Sequence, residues 1–213
     1  MNPLAPPGVY SPQADTALLA GALSEEPLPP GAEVLDVGTG SGALALEAAR
    51  RGTRVTGVDV SWRAVCAARL NARLAGLRVR VRYGDLFAPV QGRSFDLILS
   101  NPPYVPAPDG RRPVRAWDAG GDGRLVLDRI CREAPRLLRP GGVLLLVQSA
   151  LSGPEETLGH LRAAGLEAGV TRRTLIPFGP VLRGREHWLR EGGLLSAAEK
   201  KEELVVVRAE LRP

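Results

Sequence analysis

Glu33-Val34-Leu35-Asp36-Val37-Gly38-Thr39-Gly40-Ser41-Gly42 is the stretch on which the fold turns. A short apolar strand, Glu33 to Val37, runs directly into three glycines at alternate positions. The residues after it, about 43 to 51, are helix formers. Glycine lets a backbone turn sharply and approach a ligand where a side chain would clash. A glycine triplet alone also suits a plain strand-to-helix turn, so its weight depends on the acidic residues and motifs placed around it in the chain.

Outward from that stretch the pattern alternates. Arg54 to Val60 reads as strand two. Ser61 then caps a helix that carries Trp62, Cys66, Leu70 and Leu74 at intervals of four on one apolar face. Val79 to Tyr83 and Phe95 to Ser100 read as strands three and four. A long irregular stretch, Pro102 to Gly121, precedes a helix over about 123 to 138 that Pro135 should kink or restart. Pro140-Gly141-Gly142 turns the chain into strand five, Val143 to Gln148. A helix from Pro154 to Ala164 leads to strand six, Leu166 to Leu175, and strand seven is Leu204 to Leu211. Strands separated by helices predict a doubly wound, mainly parallel α/β sheet.

Ahead of strand one, residues 1–30 form an arm and a helix that Ser11-Pro12 should start. Residues 31–213 form the main domain, and 177–201 inserts between its last two strands. That insertion holds Phe178, His187 and Trp188, so it is expected to be ordered around a helix.

Composition narrows the class. The chain has 213 residues, 44% hydrophobic and 24% charged, enough for one domain with a sizeable core. Its longest aliphatic run, Val143 to Val147, is too short for a membrane span, and no basic-then-apolar leader opens it. Cytoplasm is the expected location. Cys66 and Cys131 read as reduced core thiols, and His160 and His187 are not spaced as metal ligands. The net charge of +5 comes from scattered arginines. Only Arg111, Arg112 and Arg115 cluster on a loop, so a nucleic-acid partner is the less favoured reading.

Candidate site residues fall where open α/β sheets bind ligands, at the carboxyl ends of strands. Asp59 ends strand two, at the distance for ribose hydroxyls. The loop of Gly38, Gly40 and Gly42 reads GxGxG and lacks the dinucleotide spacing. Asp36, immediately before it, would repel a pyrophosphate yet could hold an ammonium, directly or through water. Asp85 follows strand three, near where an adenine amino group would lie. Together these predict an S-adenosylmethionine site.

Asn101-Pro102-Pro103-Tyr104 ends strand four. An amide or exocyclic amino nitrogen is a poor nucleophile because its lone pair is delocalised. The Asn101 side-chain oxygen and the Pro102 carbonyl can accept its two hydrogens and favour its pyramidal form. The prolines fix that carbonyl, and Tyr104 can stack on a flat amide or base. A glutamine amide, a nucleobase amino group and a small-molecule amine or amide all fit these four residues.

Tyr10-Ser11-Pro12-Gln13-Ala14-Asp15-Thr16, the DVGTGSG of 36–42, Asp59, Asn101-Pro102-Pro103-Tyr104-Val105 and Ala119-Gly120-Gly121-Asp122-Gly123 together resemble the HemK-type protein glutamine-N5 methyltransferases. The likeness is nearest to the short members that lack the extra amino-terminal helical domain. It implies a seven-stranded sheet with an antiparallel last strand and S-adenosylmethionine as cofactor, with Asn101 also placed beside it. It implies methylation of a glutamine, typically in the Gly-Gly-Gln motif of a release factor. Asp15 and Thr16 are then expected near the cofactor or substrate mouth, and a small partner subunit is possible.

Overall fold

The computed structural model describes residues 3–108, 117–196 and 198–212. Thirteen regular elements build one sheet with helices on both faces. They are α1 (Ala14–Glu25), β1 (Glu33–Val37), α2 (Ala43–Arg50), β2 (Arg54–Asp59), α3 (Trp62–Leu74), β3 (Val79–Tyr83) and β4 (Phe95–Ser100). Then come α4 (Leu127–Glu133), β5 (Leu138–Ser149), α5 (Pro154–Ala163), β6 (Leu166–Pro177), α6 (Pro180–Glu191) and β7 (Lys201–Leu211).

The strand order is β3-β2-β1-β4-β5-β7-β6. β1 through β5 pair in parallel, and β7 runs antiparallel between β5 and β6. This is the doubly wound, seven-stranded sheet with a reversed last strand that the sequence implies. The chain leaves β1 toward one edge and β4 toward the other, so their carboxyl ends open the crevice where such sheets bind ligands. The register Val37↔Ser100 puts the glycine loop beside Asn101 there.

Two apolar layers sandwich the sheet. α1 and α2 contribute Leu19, Leu23, Leu44 and Ala48 to a layer with Leu97, Leu99 and Val206. The opposite layer joins Leu127 and Ile130 of α4, Leu158 and Leu161 of α5, and Leu182 and Leu189 of α6. The first helix is therefore part of the sheet's packing. Asn71 of α3, buried, fastens the arm before it by accepting from Leu4 N–H and donating to the Leu4 and Ser41 carbonyls, each at 2.9 Å.

Several local expectations are corrected. α1 begins at Ala14 with Gln13 ahead of it and no side-chain cap, so Ser11 does not start it. Ser61 does cap α3, accepting from Ala64 N–H. The expectation that Cys66 is a core thiol is overturned: the face of α3 that it shares with Trp62, Leu70 and Leu74 is exposed, Trp62 and Leu74 at 64% and 56%, while Ala64, Val65, Ala68 and Ala72 go inward. A spacing of four marks a stripe without saying which side it faces. Small alanines permit the closer approach to the sheet, and a Cβ on Gly42 would stand 3.1 Å from that of Ala68. Only Cys131 is a core thiol; burial pushes it up to about 12.

α4 is shorter than expected. The Gly120–Gly123 turn delays its start to Leu127, and Pro135 ends it in a 3-10 turn, Ala134–Leu137. β5 begins at Leu138, with the Pro140-Gly141-Gly142 turn absorbed as a break in its register on β4. β6 and β7 extend to Pro177 and Lys201, and α6 fills most of the connection between them. The Arg111, Arg112 and Arg115 cluster lies outside the described residues. No described helix is long and apolar enough to cross a membrane.

Candidate active site

The glycine loop is a set of left-handed turns. Gly38, Gly40 and Gly42 have φ of 73°, 55° and 85°, a region costing a side chain about 1–2 kcal/mol each. The loop passes close to the acceptor motif: a Cβ on Gly38 would meet the Asn101 carbonyl at 4.0 Å.

Two carboxylates hold the loop. Asp36 is buried, accepts from the Thr39 hydroxyl at 2.6 Å and from Ala45 N–H at 3.1 Å, and so closes the first turn of α2. Burial pushes its pKa up to about 6, against the lowering effect of those two donors; Asp59 adds to the rise. Asp59 accepts from Gly40 N–H at 2.9 Å and Ser61 N–H at 2.8 Å, tying β2 to the loop. Burial raises its pKa too, opposed by backbone donors. Asp85 is half exposed and pairs with Arg129 of α4 at 2.7 Å. A lone pair remains on each of its oxygens for an amino group. The next residue, Leu86, is the non-glycine residue with positive φ, 42°, among those described.

On the acceptor side, Asn101 Nδ2 donates to the Thr16 hydroxyl oxygen at 3.3 Å. That contact commits the nitrogen end of the amide to α1 and leaves Oδ1 as the acceptor end. Pro102 is buried and Pro103 half buried. Tyr104 is buried in the apolar layer, and its hydroxyl donates to Asp15 Oδ2 at 3.0 Å.

Asp15, 3% exposed, organises this side from behind. It also accepts from Tyr10 OH at 2.7 Å, Thr16 N–H at 2.6 Å and the Thr16 hydroxyl at 3.2 Å. Its geometry makes it a scaffold for Asn101 and Tyr104, with its oxygens already engaged by protein. Burial, then the Asp15 charge, drives the Tyr104 and Tyr10 phenols well above their usual range, so both stay protonated donors.

The Gly120–Gly123 turn seats the motif. A Cβ on Gly123, φ 76°, would fall 2.4 Å from the Tyr104 carbonyl oxygen. Gly123→Ala is expected to destabilise the fold by about 2 kcal/mol or more, through left-handed strain plus that clash. Urea denaturation measures it, and an unchanged midpoint would refute the contact.

Three residues escaped the sequence reading. Glu202, at the start of β7, is buried with Oε1 unpartnered. Burial pushes its carboxyl up to about 7, the Ser149 hydroxyl opposes this, and Asp15 adds to it. Arg124, 3% exposed, joins the turn to α5 through the Ser152 and Gly153 carbonyls. Arg185 of α6 is buried against the acceptor loop. The only hint for Glu202 was a charge heading the apolar Leu204–Val207 run; for the arginines, nothing distinguished them from the surface ones.

A seven-stranded sheet with a reversed last strand, a glycine loop at its switch point and an Asn-Pro-Pro-Tyr rim define a class I methyltransferase. Known proteins agree. The model of the methyltransferase small domain matches residues 3–164, and the chain belongs to that family. A Methanocaldococcus jannaschii protein, provisionally named a protein N5-glutamine methyltransferase, is 36% identical over 177 residues, covering 81% of this chain and 88% of that one. The release factor glutamine methyltransferase of Deinococcus radiodurans is 42% identical over 167 residues, covering 74% and 56%. The chain thus spans about half the length of such bacterial enzymes. The Mtq2–Trm112 complex of E. cuniculi, which methylates the eRF1 termination factor, has a chain of the same fold: TM-score 0.68, 24% identity, 96% of this chain and 99% of that one. The resemblance to the HemK-type enzymes is borne out, and S-adenosylmethionine is the cofactor of this class.

Proposed function

We propose that this chain methylates the side-chain amide nitrogen of a glutamine in a protein such as a translation release factor. The observation that carries the reading is the Asn101 tether to Thr16, which leaves the amide oxygen to accept and, with the Pro102 carbonyl, would give a pair of acceptors for two N–H groups. The names of the relatives above support glutamine among the nitrogens that such a pair could hold.

The residues fit the cofactor. The positive-φ glycines leave room for close approach, Asp59 has lone pairs left that would accept from ribose hydroxyls, and Asp36, at the foot of the loop, would hold the ammonium directly or through water. S-adenosylmethionine supplies, when bound, an electrophilic methyl on a sulfonium. Asn101 and Pro102 orient the acceptor nitrogen and gain strength as it becomes positive, which lowers the barrier instead of only tightening binding. No base is required before transfer, because the nitrogen sheds its proton afterwards.

The direct test supplies labelled S-adenosylmethionine with a release factor, its Gln→Ala version, and tRNA or DNA. Label is expected in the first alone. Label surviving the Gln→Ala change, or appearing only in nucleic acid, would refute the reading.

Cofactor affinity should also depend on pH through Asp36. Its folded pKa, about 6, is above the unfolded value, so the folded state holds the proton more tightly between the two. Asp36 therefore adds stability as pH falls from about 7 toward 4. Cofactor binding runs the other way, since the ammonium needs the carboxylate, and affinity should drop about tenfold per pH unit below about 6. Calorimetry across pH 5–8 measures this; Asp36→Asn should flatten the profile, and an equal slope in both proteins refutes the assignment.

A small partner subunit also fits, as in the Mtq2–Trm112 complex. Trp62, Leu70, Leu74, Tyr83 and Leu4 are exposed around α3 and the open edge of β3. Residues 61–84 carry six arginines and no acid, which favours an acidic partner. Leu70→Asp with Leu74→Asp should abolish binding to a Trm112-type subunit while the melting temperature of the isolated chain holds.

A further inference from the structure

The connection between β6 and β7 carries a buried ion pair on the acceptor side. Arg185 of α6 donates from Nη1 to the Pro106 carbonyl at 2.8 Å, and its Nη2 pairs with the Asp118 carboxylate. Both side chains are only 6% exposed. These acceptors stand on the two arms of a neck. One arm continues from Asn101-Pro102-Pro103-Tyr104 to Ala107; the other is 117–120.

Three backbone bonds join the arms. Val105 N–H donates to the Trp117 carbonyl at 2.9 Å, Ala119 N–H to Val105 at 3.1 Å, and Ala107 N–H to Gly120 at 2.8 Å. Pro106, between the first arm's two donors, has no N–H to give. Its carbonyl is instead taken by the guanidinium. A planar fork with donors fixed in two directions sets the spacing of the groups it binds, which a single ammonium would not do. The fork is itself immobilised, because Leu182 and Leu189 of α6 and Phe178 pack in the same layer as Tyr104 and Val105.

We propose that Arg185 is a positioning residue of the methyl-acceptor platform: by holding Pro106 to Asp118 it sets where the Pro102 carbonyl and the Tyr104 ring stand. The glutamine reading supplies the name of the acceptor; the neck exists whichever acceptor is bound. The β6–β7 connection is then a working part of the acceptor side.

Arg185→Met keeps the length and removes both donors, and with them a positive charge that faces the Asp118 carboxylate's negative charge. Arg185→Met with Asp118→Asn removes that charge and still leaves the Pro106 carbonyl unheld. Amide hydrogen exchange is followed in peptides covering 102–107 and 117–120, with 36–42 as the internal reference. S-adenosylmethionine affinity, melting temperature and kcat on a release factor are measured alongside.

The single variant should lose protection in both neck peptides, keep it in the glycine loop, bind cofactor within about twofold, and lose on the order of 10²-fold in kcat, as expected for a misplaced reacting group. The double variant should recover the melting temperature and recover neither neck protection nor kcat. Unchanged neck protection would overturn the proposal. So would equal loss in the glycine loop, or recovery of kcat in the double variant, since each assigns the effect to overall stability. If the wild-type protein leaves release factors unmethylated, the glutamine reading fails while the exchange data still judge the clamp.

Discussion

Asn101→Ala is expected to bind S-adenosylmethionine within a few-fold of wild type and to lose on the order of 10²–10³ in kcat, the effect of removing one preorganised hydrogen-bonding group from a site of developing charge. On the proposed reading the amide oxygen acts mainly in the transition state, when the acceptor N–H groups become more acidic, so its loss should fall on kcat more than on KM. The structure adds a graded companion. Thr16→Val removes the oxygen that receives Asn101 Nδ2 and leaves the amide free to turn. It should therefore lower kcat by less than Asn101→Ala, and the two losses should not add, because both act on one group. Labelled-methyl turnover with calorimetric cofactor binding measures both. Turnover persisting in Asn101→Ala would remove this residue from the mechanism.

The second large effect is on stability. Asp15→Ala takes the acceptor from Tyr10, Tyr104 and Thr16 at once. Each buried donor left unpaired costs about 1–3 kcal/mol, and partial relaxation brings the sum to about 4 kcal/mol. For a chain of this size that lowers the melting temperature by roughly 8–16 °C. Asp15→Asn keeps one acceptor oxygen, and tyrosine hydroxyls can reverse to accept from its nitrogen, so it should lose less than half as much. Both variants should also lose turnover on the proposed reading, since Asp15 holds Tyr104 directly and Asn101 through Thr16. An unchanged melting temperature in Asp15→Ala would mean that the carboxylate does not carry this network.

The layer order and the position of the glycine loop were legible in the sequence. Periodicity distinguishes strand from helix, and the Glu33–Gly42 stretch leaves a sheet rim as the place for its loop. The same stretch names its own carboxylate, Asp36, because a residue at the end of a strand and its loop stay together whatever the rest of the chain does. Asn101 was readable for that reason too. Cys66 was misjudged as a core thiol because amphipathic spacing has no sign: Trp62, Leu70 and Leu74 form as good a stripe as the alanines that actually face the sheet.

Acceptor-side support was invisible for a different reason. Asp15 and Tyr104 lie 89 residues apart, Thr16 and Asn101 85, and Arg185 and Asp118 67. Contacts over such separations are set by the packing of α1 and α6 against the sheet, and a local pattern contains no term for them. Glu202 and Arg185 resemble ordinary surface charges until the antiparallel return of β7 and the seating of α6 bury them. By itself, then, the sequence determined the sheet, the glycine loop and the Asn-Pro-Pro-Tyr motif at its rim. Only the tertiary structure decided which side chains hold those groups in place, because burial and long-range pairing arise when separate elements pack.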